Sequence, residues 1–259
     1  MPRKQGGDVT QSRVDLHVKI LDEQVVERAK ARGLDVLVYA PHFTRLSTAR
    51  RRAERYSDDD LLVVPAREVF TGTWRNRKHV LALGLEEGIP DFITLPGAMD
   101  EFERQDAVVL VPHPDFMTVS LDAIDLQEYR DLVDGVEVYN PKHFDGHNRR
   151  ARKLAEAGDF RMFGSSYAHL RKTVGEVWTA FDRDIDSEEG LLEAIRSGAG
   201  RRVLRRNGPA HEWRCLNEFA HLGWENTYEK LDRVLLSGIE PTHPRHIAYD
   251  GRFDDVAVY

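Results

Sequence analysis

The stretch that most constrains this chain is Val14-Asp15-Leu16-His17-Val18-Lys19-Ile20. It reads as a short buried strand. Side chains alternate across a strand with period two, which puts Asp15, His17 and Lys19 on one face and Val14, Leu16, Val18 and Ile20 on the other. Three polar groups on the inner face of an apolar strand are costly to bury unless something there binds them. The rest of the chain has to bring partners to that face.

Strand-like and helix-like segments alternate along the chain. Helical spacing over 22–32 stops at Gly33, and 35–40 reads as a second strand ending in Pro41-His42. A basic helix over 44–55 precedes a third strand at 61–64, which leads to Glu68. A fourth strand at 78–85 has His79 near its start. A helix over 100–105 runs into the apolar strand 107–111 and Pro112-His113-Pro114. A helix at 126–133, a strand at 135–139, a helix at 148–157 and a strand at 160–163 follow. A last strand at 177–181 and a last helix at 187–196 close the pattern. Strands alternating with helices argue parallel pairing through right-handed crossovers. Near-continuous Val/Ile/Leu runs fit strands buried on both faces. His17, His42, Glu68, His113 and His169 all fall at or just past strand C-terminal ends. In a β/α barrel that rim is where an active site is built.

Composition sets limits. The 259 residues suit one large α/β domain, and a net charge of −7 with 41% hydrophobic residues describes an ordinary water-soluble protein. No apolar run approaches the roughly 20 residues that span a bilayer. The first residues are polar and lack an apolar secretion core. The single cysteine, Cys215, excludes an internal disulfide framework and suits the cytoplasm. A negative chain without a long basic stripe argues against a nucleic-acid partner.

An ordered set of motifs carries more. Asp15-Leu16-His17, Ala40-Pro41-His42, Pro65-Ala66-Arg67-Glu68, His79-Val80-Leu81-Ala82-Leu83, Val111-Pro112-His113-Pro114, Gly135-Val136-Glu137-Val138-Tyr139-Asn140 and Gly164-Ser165-Ser166-Tyr167-Ala168-His169 resemble the PHP domain, the polymerase and histidinol phosphatase family. The resemblance covers roughly 13–205. It implies a distorted seven-stranded β/α barrel, with 206–259 as a C-terminal helical extension packed on it. It also implies two or three Zn, Mn or Fe ions and hydrolysis of phosphate esters. On that resemblance His17 serves a first metal, Glu68 bridges the first and second, His79 and His113 complete the second, and His42 with His169 hold a third. Imidazole and carboxylate are what such ions prefer, and a bound pair of ions clamps a phosphoryl oxygen.

Three positions depart from the family pattern. Lys19 stands where the opening motif has its second His, Pro41 where an Asp precedes His42, and Tyr167 where the closing motif has an Asp. The changes at 19 and 167 strip the first metal position to His17 and Glu68, too few ligands for a tight ion. The Lys19 ammonium is expected in the vacated place, beside Glu68. One or two divalent transition ions are therefore expected. For the third position only Asp22 or Glu23 offers a further ligand. His17, Lys19, His113 and His169 are the expected catalytic groups. Arg45, Arg75, Arg77 and Arg171, near rim positions, are the expected grips on a small phosphorylated substrate. Glu137 reads either as an acid supporting a ligand or as a strand-end partner of a neighbouring cation. Beyond 207, apolar residues from Trp213 to Leu235 suit amphipathic helices that stop at Gly238, and 241–259 suits a wrap over a barrel face or a self-association surface. The alternative to an enzyme is a degenerate, non-catalytic barrel that binds a phosphorylated ligand or a protein partner.

Overall fold

The computed structural model describes residues 11–73, 75–115, 119–221 and 241–258. Its strands are β1 (Ser12–Val18), β2 (Val36–Tyr39), β3 (Leu62–Thr73), β4 (Asn76–Leu83), β5 (Val108–Val111), β6 (Val133–Tyr139), β7 (Met162–Gly164), β8 (Val177–Phe181) and β9 (Arg201–Arg205). Its helices are α1 (Glu23–Ala31), α2 (Leu46–Tyr56), α3 (Leu95–Arg104), α4 (Ala123–Glu128), α5 (Asp145–Ala157) and α6 (Glu188–Arg196), followed by a helical run over 209–221. No helix among the described residues is long and apolar enough to cross a membrane.

One sheet of nine strands runs in the order β7-β6-β5-β4-β3-β2-β1-β8-β9. It nearly closes into a barrel. The Thr179 hydroxyl bridges Gly164 N and O at 3.0 Å each, and Val18 pairs with Ala168. Nine strands exceed the seven that the resemblance implies; the apolar pattern itself marks eight and misses only the strand at 201–205, which is mostly exposed and Arg-rich. Nor is the pairing all parallel. β1–β2, β2–β3, β5–β6 and β6–β7 are parallel, whereas β4 is antiparallel to both neighbours and β8 to β1. The cause is local. β3 continues to Thr73, which pairs with Asn76, so no helix intervenes and the strands can only return antiparallel. Gly72, at φ 73°, permits the return: a Cβ there would lie 2.2 Å from the Asn76 carbonyl oxygen.

Two helices start earlier than their apolar spacing suggests, because capping residues decide. Thr94 caps α3 through Gly97 N, and Asp122 with Asp125 forms a capping box on α4. Val133 accordingly begins β6 instead of ending a helix.

The core has layers. Val14, Leu16, Val36, Val38, Val64, Ala66, Leu81, Leu83, Val108 and Leu110 join Phe163, Phe181 and the α6 residues Leu191, Ala194 and Ile195 to fill the barrel. Val18 instead packs with Val25 and Ala29 of α1. The simple two-face reading of the first strand is therefore corrected. Its register shifts between Asp15 and Val18, and this irregularity lets both Leu16 and His17 face inward. The final segment returns along the connection before α3: Asp91 N donates to Thr242 O (2.8 Å), Thr94 N to Val256 O (2.8 Å) and Val258 N to Phe92 O (3.0 Å). Tyr249 and Phe253 bury beside Met99 and Phe102. The expected helices past 221 and their stop at Gly238 lie outside the described residues.

Candidate metal centre

Glu68 sits within β3, fully buried, and the other groups gather on its two oxygens. On Oε1 are His113 Nε2 at 3.3 Å, His79 Nδ1 at 3.5 Å and His17 Nε2 at 3.6 Å. On Oε2 are Lys19 Nζ at 2.5 Å and His42 Nδ1 at 3.0 Å. His169 joins through His42, their Nε2 atoms 3.4 Å apart. The antiparallel return of β4 is what brings His79 in: Phe70 and His79 face each other across the ladder, their rings stacked 3.8 Å apart and inclined by 2°. His113 and Tyr167 stand just past β5 and β7 in left-handed backbone conformations, φ 34° and 46°. Such conformations in non-glycine residues concentrate where a site dictates the backbone.

Burial governs the charges. Burial alone would raise the Glu68 carboxyl, but Lys19 and the surrounding imidazoles outweigh it and hold the pKa well below the ordinary range. Burial, with Lys19 adding repulsion, drives His17 well below its ordinary value and His42 down to about 3; burial takes His79 to about 4. These three imidazoles are thus neutral, with lone pairs to offer. Burial also lowers Lys19 to about 8 against the pull of Glu68. Lys19 donates to the Ala40 carbonyl at 2.6 Å as well.

The donor set fits a divalent transition ion. Atoms of Glu68, His79 and His113 all lie within 4.8 Å of one another. Among the described residues, both ring nitrogens of His17 and Nε2 of His79 are buried with no hydrogen-bond partner. Buried imidazole nitrogens left unpaired are costly, and an ion would satisfy them. Around this set lies a supporting layer. Ser120 Oγ is 2.9 Å from His113 Nδ1, which leaves Nε2 toward Glu68. Glu137 accepts from His113 N (2.8 Å), Ser165 Oγ (2.6 Å) and Asn140 Nδ2 (3.1 Å), so it supports the His113 turn. Asp15 accepts from Ser166 N and Gly175 N at 2.9 Å each, tying β1 to the strand end that carries Tyr167; burial lifts its pKa to about 6.

The far end of the cluster holds a cation that the sequence reading did not single out. Lys142 Nζ lies 2.5 Å from His169 Nδ1, 3.2 Å from Glu218 Oε1 and 4.0 Å from the centre of the Tyr167 ring. Asp22 and Glu23 do not reach this end: Asp22 caps α1 and pairs with Arg171 at 2.7 Å, and Glu23 is exposed. His143, half-buried, brings its ring to 6.2 Å from that of His113. Lys142 follows a strand end, which is the signal that could have found it. Glu218 has no such signal, being one acid among many in the tail.

The four arginines do not converge. Arg45 opens α2 and lines a separate groove of about 440 Å³ with Arg51, Tyr249 and Arg252. Arg75 is exposed near the β3–β4 return, and Arg171 pairs with Asp22. Arg77, two residues before His79, is near enough to lower its pKa.

The chain is similar to several known proteins. The PHP-associated family matches residues 145–199. A phosphoribosyl 1,2-cyclic phosphate 1,2-diphosphodiesterase of Eggerthella lenta is 29% identical over 235 residues, 88% of this chain and 79% of that protein. An uncharacterized protein of Methanocaldococcus jannaschii is 29% identical over 124 residues, 46% of this chain and 51% of the other. In fold, the chain is similar to PsfC from Pseudomonas syringae, with a TM-score of 0.60 at 17% identity over 85% of this chain and 98% of that one. It is similar also to a lesion-specific endonuclease from Pyrococcus furiosus, with a TM-score of 0.54 at 15% identity over 75% and 58%. Motif order around the barrel, the matched PHP-associated segment and the Eggerthella lenta relative make the chain similar to the PHP family.

Proposed function

We propose that this protein hydrolyses a small phosphate ester at a reduced, one-ion centre. The observation that carries the reading is the convergence of Glu68, His79 and His113 beside buried imidazole nitrogens that no hydrogen bond among the described residues satisfies. Those three would hold the ion, with His17 next to it. A divalent Zn, Mn or Fe ion there would supply Lewis acidity toward a phosphoryl oxygen and acidify a coordinated water.

The chain's own groups do the rest. Glu68 stays ionised and collects the imidazoles about one point. Ser120 fixes the His113 ring so that Nε2 faces Glu68. At neutral pH Lys19 provides one built-in positive charge 2.5 Å from Glu68, in the place the family pattern gives to another ion. Arg77, beside His79, is the arginine best placed to balance charge on a bound phosphoryl group. Phe43, Phe70 and Phe92 form an apolar wall next to His42 and His79, which keeps water from that side. The diphosphodiesterase named above acts on a phosphoribosyl cyclic phosphate, and a sugar phosphate of that size is the first substrate to try.

The test is turnover of an aryl phosphate and of a panel of sugar phosphates, cyclic ones included, with Mn, Zn or Fe supplied. Glu68→Gln and His113→Ala should each lower turnover by at least about 100-fold, the scale of losing a group that acts in the transition state. Activity surviving both substitutions would rule out this site. A folded wild type that binds these phosphates and turns over none would favour the non-catalytic barrel instead.

A further inference from the structure

We propose that Phe70 is the positioning residue for His79: its ring, stacked flat on the imidazole, holds that ligand in the plane from which it meets the ion beside Glu68 and His113. The inference rests on the one-ion reading.

An imidazole that binds a metal is ordinarily oriented by a hydrogen bond at its other ring nitrogen. His113 has one, between Nδ1 and Ser120 Oγ at 2.9 Å. For His79 no hydrogen bond to either ring nitrogen is present among the described residues; Nδ1 stands 3.5 Å from Glu68 Oε1. Packing has to set this ring instead. Phe70 covers one face of it, the ring centres 3.8 Å apart and the planes inclined by 2°. The lone pair of an imidazole nitrogen lies in the ring plane, so a fixed plane fixes the directions from which an ion can be met. A leucine at position 70 would fill most of the same volume but offer no flat face.

The contact follows from the strands. Directly opposite side chains on antiparallel strands share a face, and Phe70 of β3 pairs with His79 of β4. The Phe70 N–H donates away from β4 to Asp91 Oδ1 at 2.8 Å, and its carbonyl accepts from the Phe92 N–H at 2.6 Å. The His79 N–H goes to the Val119 carbonyl at 3.1 Å. The two residues are therefore a non-hydrogen-bonded pair, the kind whose side chains approach most closely. Phe70 is backed in turn. Phe43 meets it edge-on, ring centres 4.7 Å apart at 83°, a favourable aromatic geometry, and Phe92 lies nearly parallel to Phe43 at 5.8 Å and 19°. Phe43 and Phe92 hold left-handed backbones, φ 47° and 62°, which bulky residues keep only where their surroundings impose them. Val258 of the returning segment packs against the three rings.

The experiment measures the Kd of Mn or Zn by chelator competition in wild type, Phe70→Leu, Phe70→Tyr and Glu68→Gln, and records the His79 ring C–H proton resonances in metal-free protein. Wild type should show those protons shifted upfield by the Phe70 ring. Phe70→Leu should lose the shift and bind the ion about 10- to 100-fold more weakly, the scale of losing a group that orients a ligand. Phe70→Tyr, which keeps the ring, should retain both the shift and the wild-type Kd. A folded Phe70→Leu with wild-type Kd would overturn the positioning role and leave the one-ion reading standing. A wild type that binds no ion, or binds it no more tightly than Glu68→Gln does, would overturn the one-ion reading and this proposal with it. His79 protons at ordinary positions in the wild type would overturn the proposal without any variant, so it stays testable even where Phe70→Leu fails to fold.

Discussion

At the scale of single residues, Lys19 decides what the pocket can be. An ammonium with carboxylate and carbonyl oxygens at hydrogen-bonding distance, 2.5 and 2.6 Å away, does at neutral pH what a bound ion does: it makes a buried Glu68 carboxylate tolerable. Lys19→Met would keep the stem's packing and remove the charge, leaving Glu68 among neutral imidazoles. Breaking a buried pair in this way costs on the order of 3–5 kcal/mol. Urea unfolding of metal-free protein at pH 7 should show that loss, and an unchanged midpoint would mean Lys19 is not what holds Glu68 ionised. Residues of this kind were legible in the sequence because they stand in or just past apolar strands and in a familiar order. Lys142 and Glu218 were not. Their meaning arises from a contact across 76 positions of chain, which no local pattern encodes.

At the scale of elements, the antiparallel β4 and the helical run over 209–221 are the parts that periodicity could not supply. Apolar period reveals that a strand exists but not its direction; the direction of β4 followed from how far β3 extends past Glu68. The 209–221 run is anchored at its other end by Glu176, which is fully buried and meets Arg32 (2.6 Å), Arg214 (2.6 Å) and His211 Nδ1 (2.6 Å). Burial would raise the Glu176 carboxyl, but Arg214, His211 and Arg32 prevail and its pKa lies below the ordinary value. A carboxylate depressed in the folded state adds stability at neutral pH and withdraws it as pH falls through the ordinary carboxylate range and below. Stability should thus drop on acidification from pH 5 downward, and Glu176→Gln should flatten part of that slope while costing on the order of 1–3 kcal/mol at pH 7. Urea midpoints of both proteins from pH 7 to pH 3.5 check this. Parallel slopes would show that other carboxylates carry the acid response.

At the scale of the whole molecule, stability and chemistry are held by different parts. The barrel interior and the outer layer beneath α3 and α5 are continuous apolar clusters, and the returning segment adds Tyr249 and Phe253 to the second of them. The candidate metal centre sits at the rim, with Lys19 and Lys142 already supplying charge to its two carboxylates, Glu68 and Glu218. The expectation is therefore that folding does not need an ion, in contrast to small metal-nucleated domains. Chelation should abolish turnover while leaving a cooperatively folded protein. The stability lost on stripping the ion should be no more than its binding linkage, about 2.7 kcal/mol at a hundredfold excess of free ion over Kd. Thermal unfolding with and without chelator, followed by circular dichroism at the same protein concentration, measures this directly. A chain that loses its secondary structure on chelation would show that the ion holds the barrel rim together, and that the two lysines do not suffice.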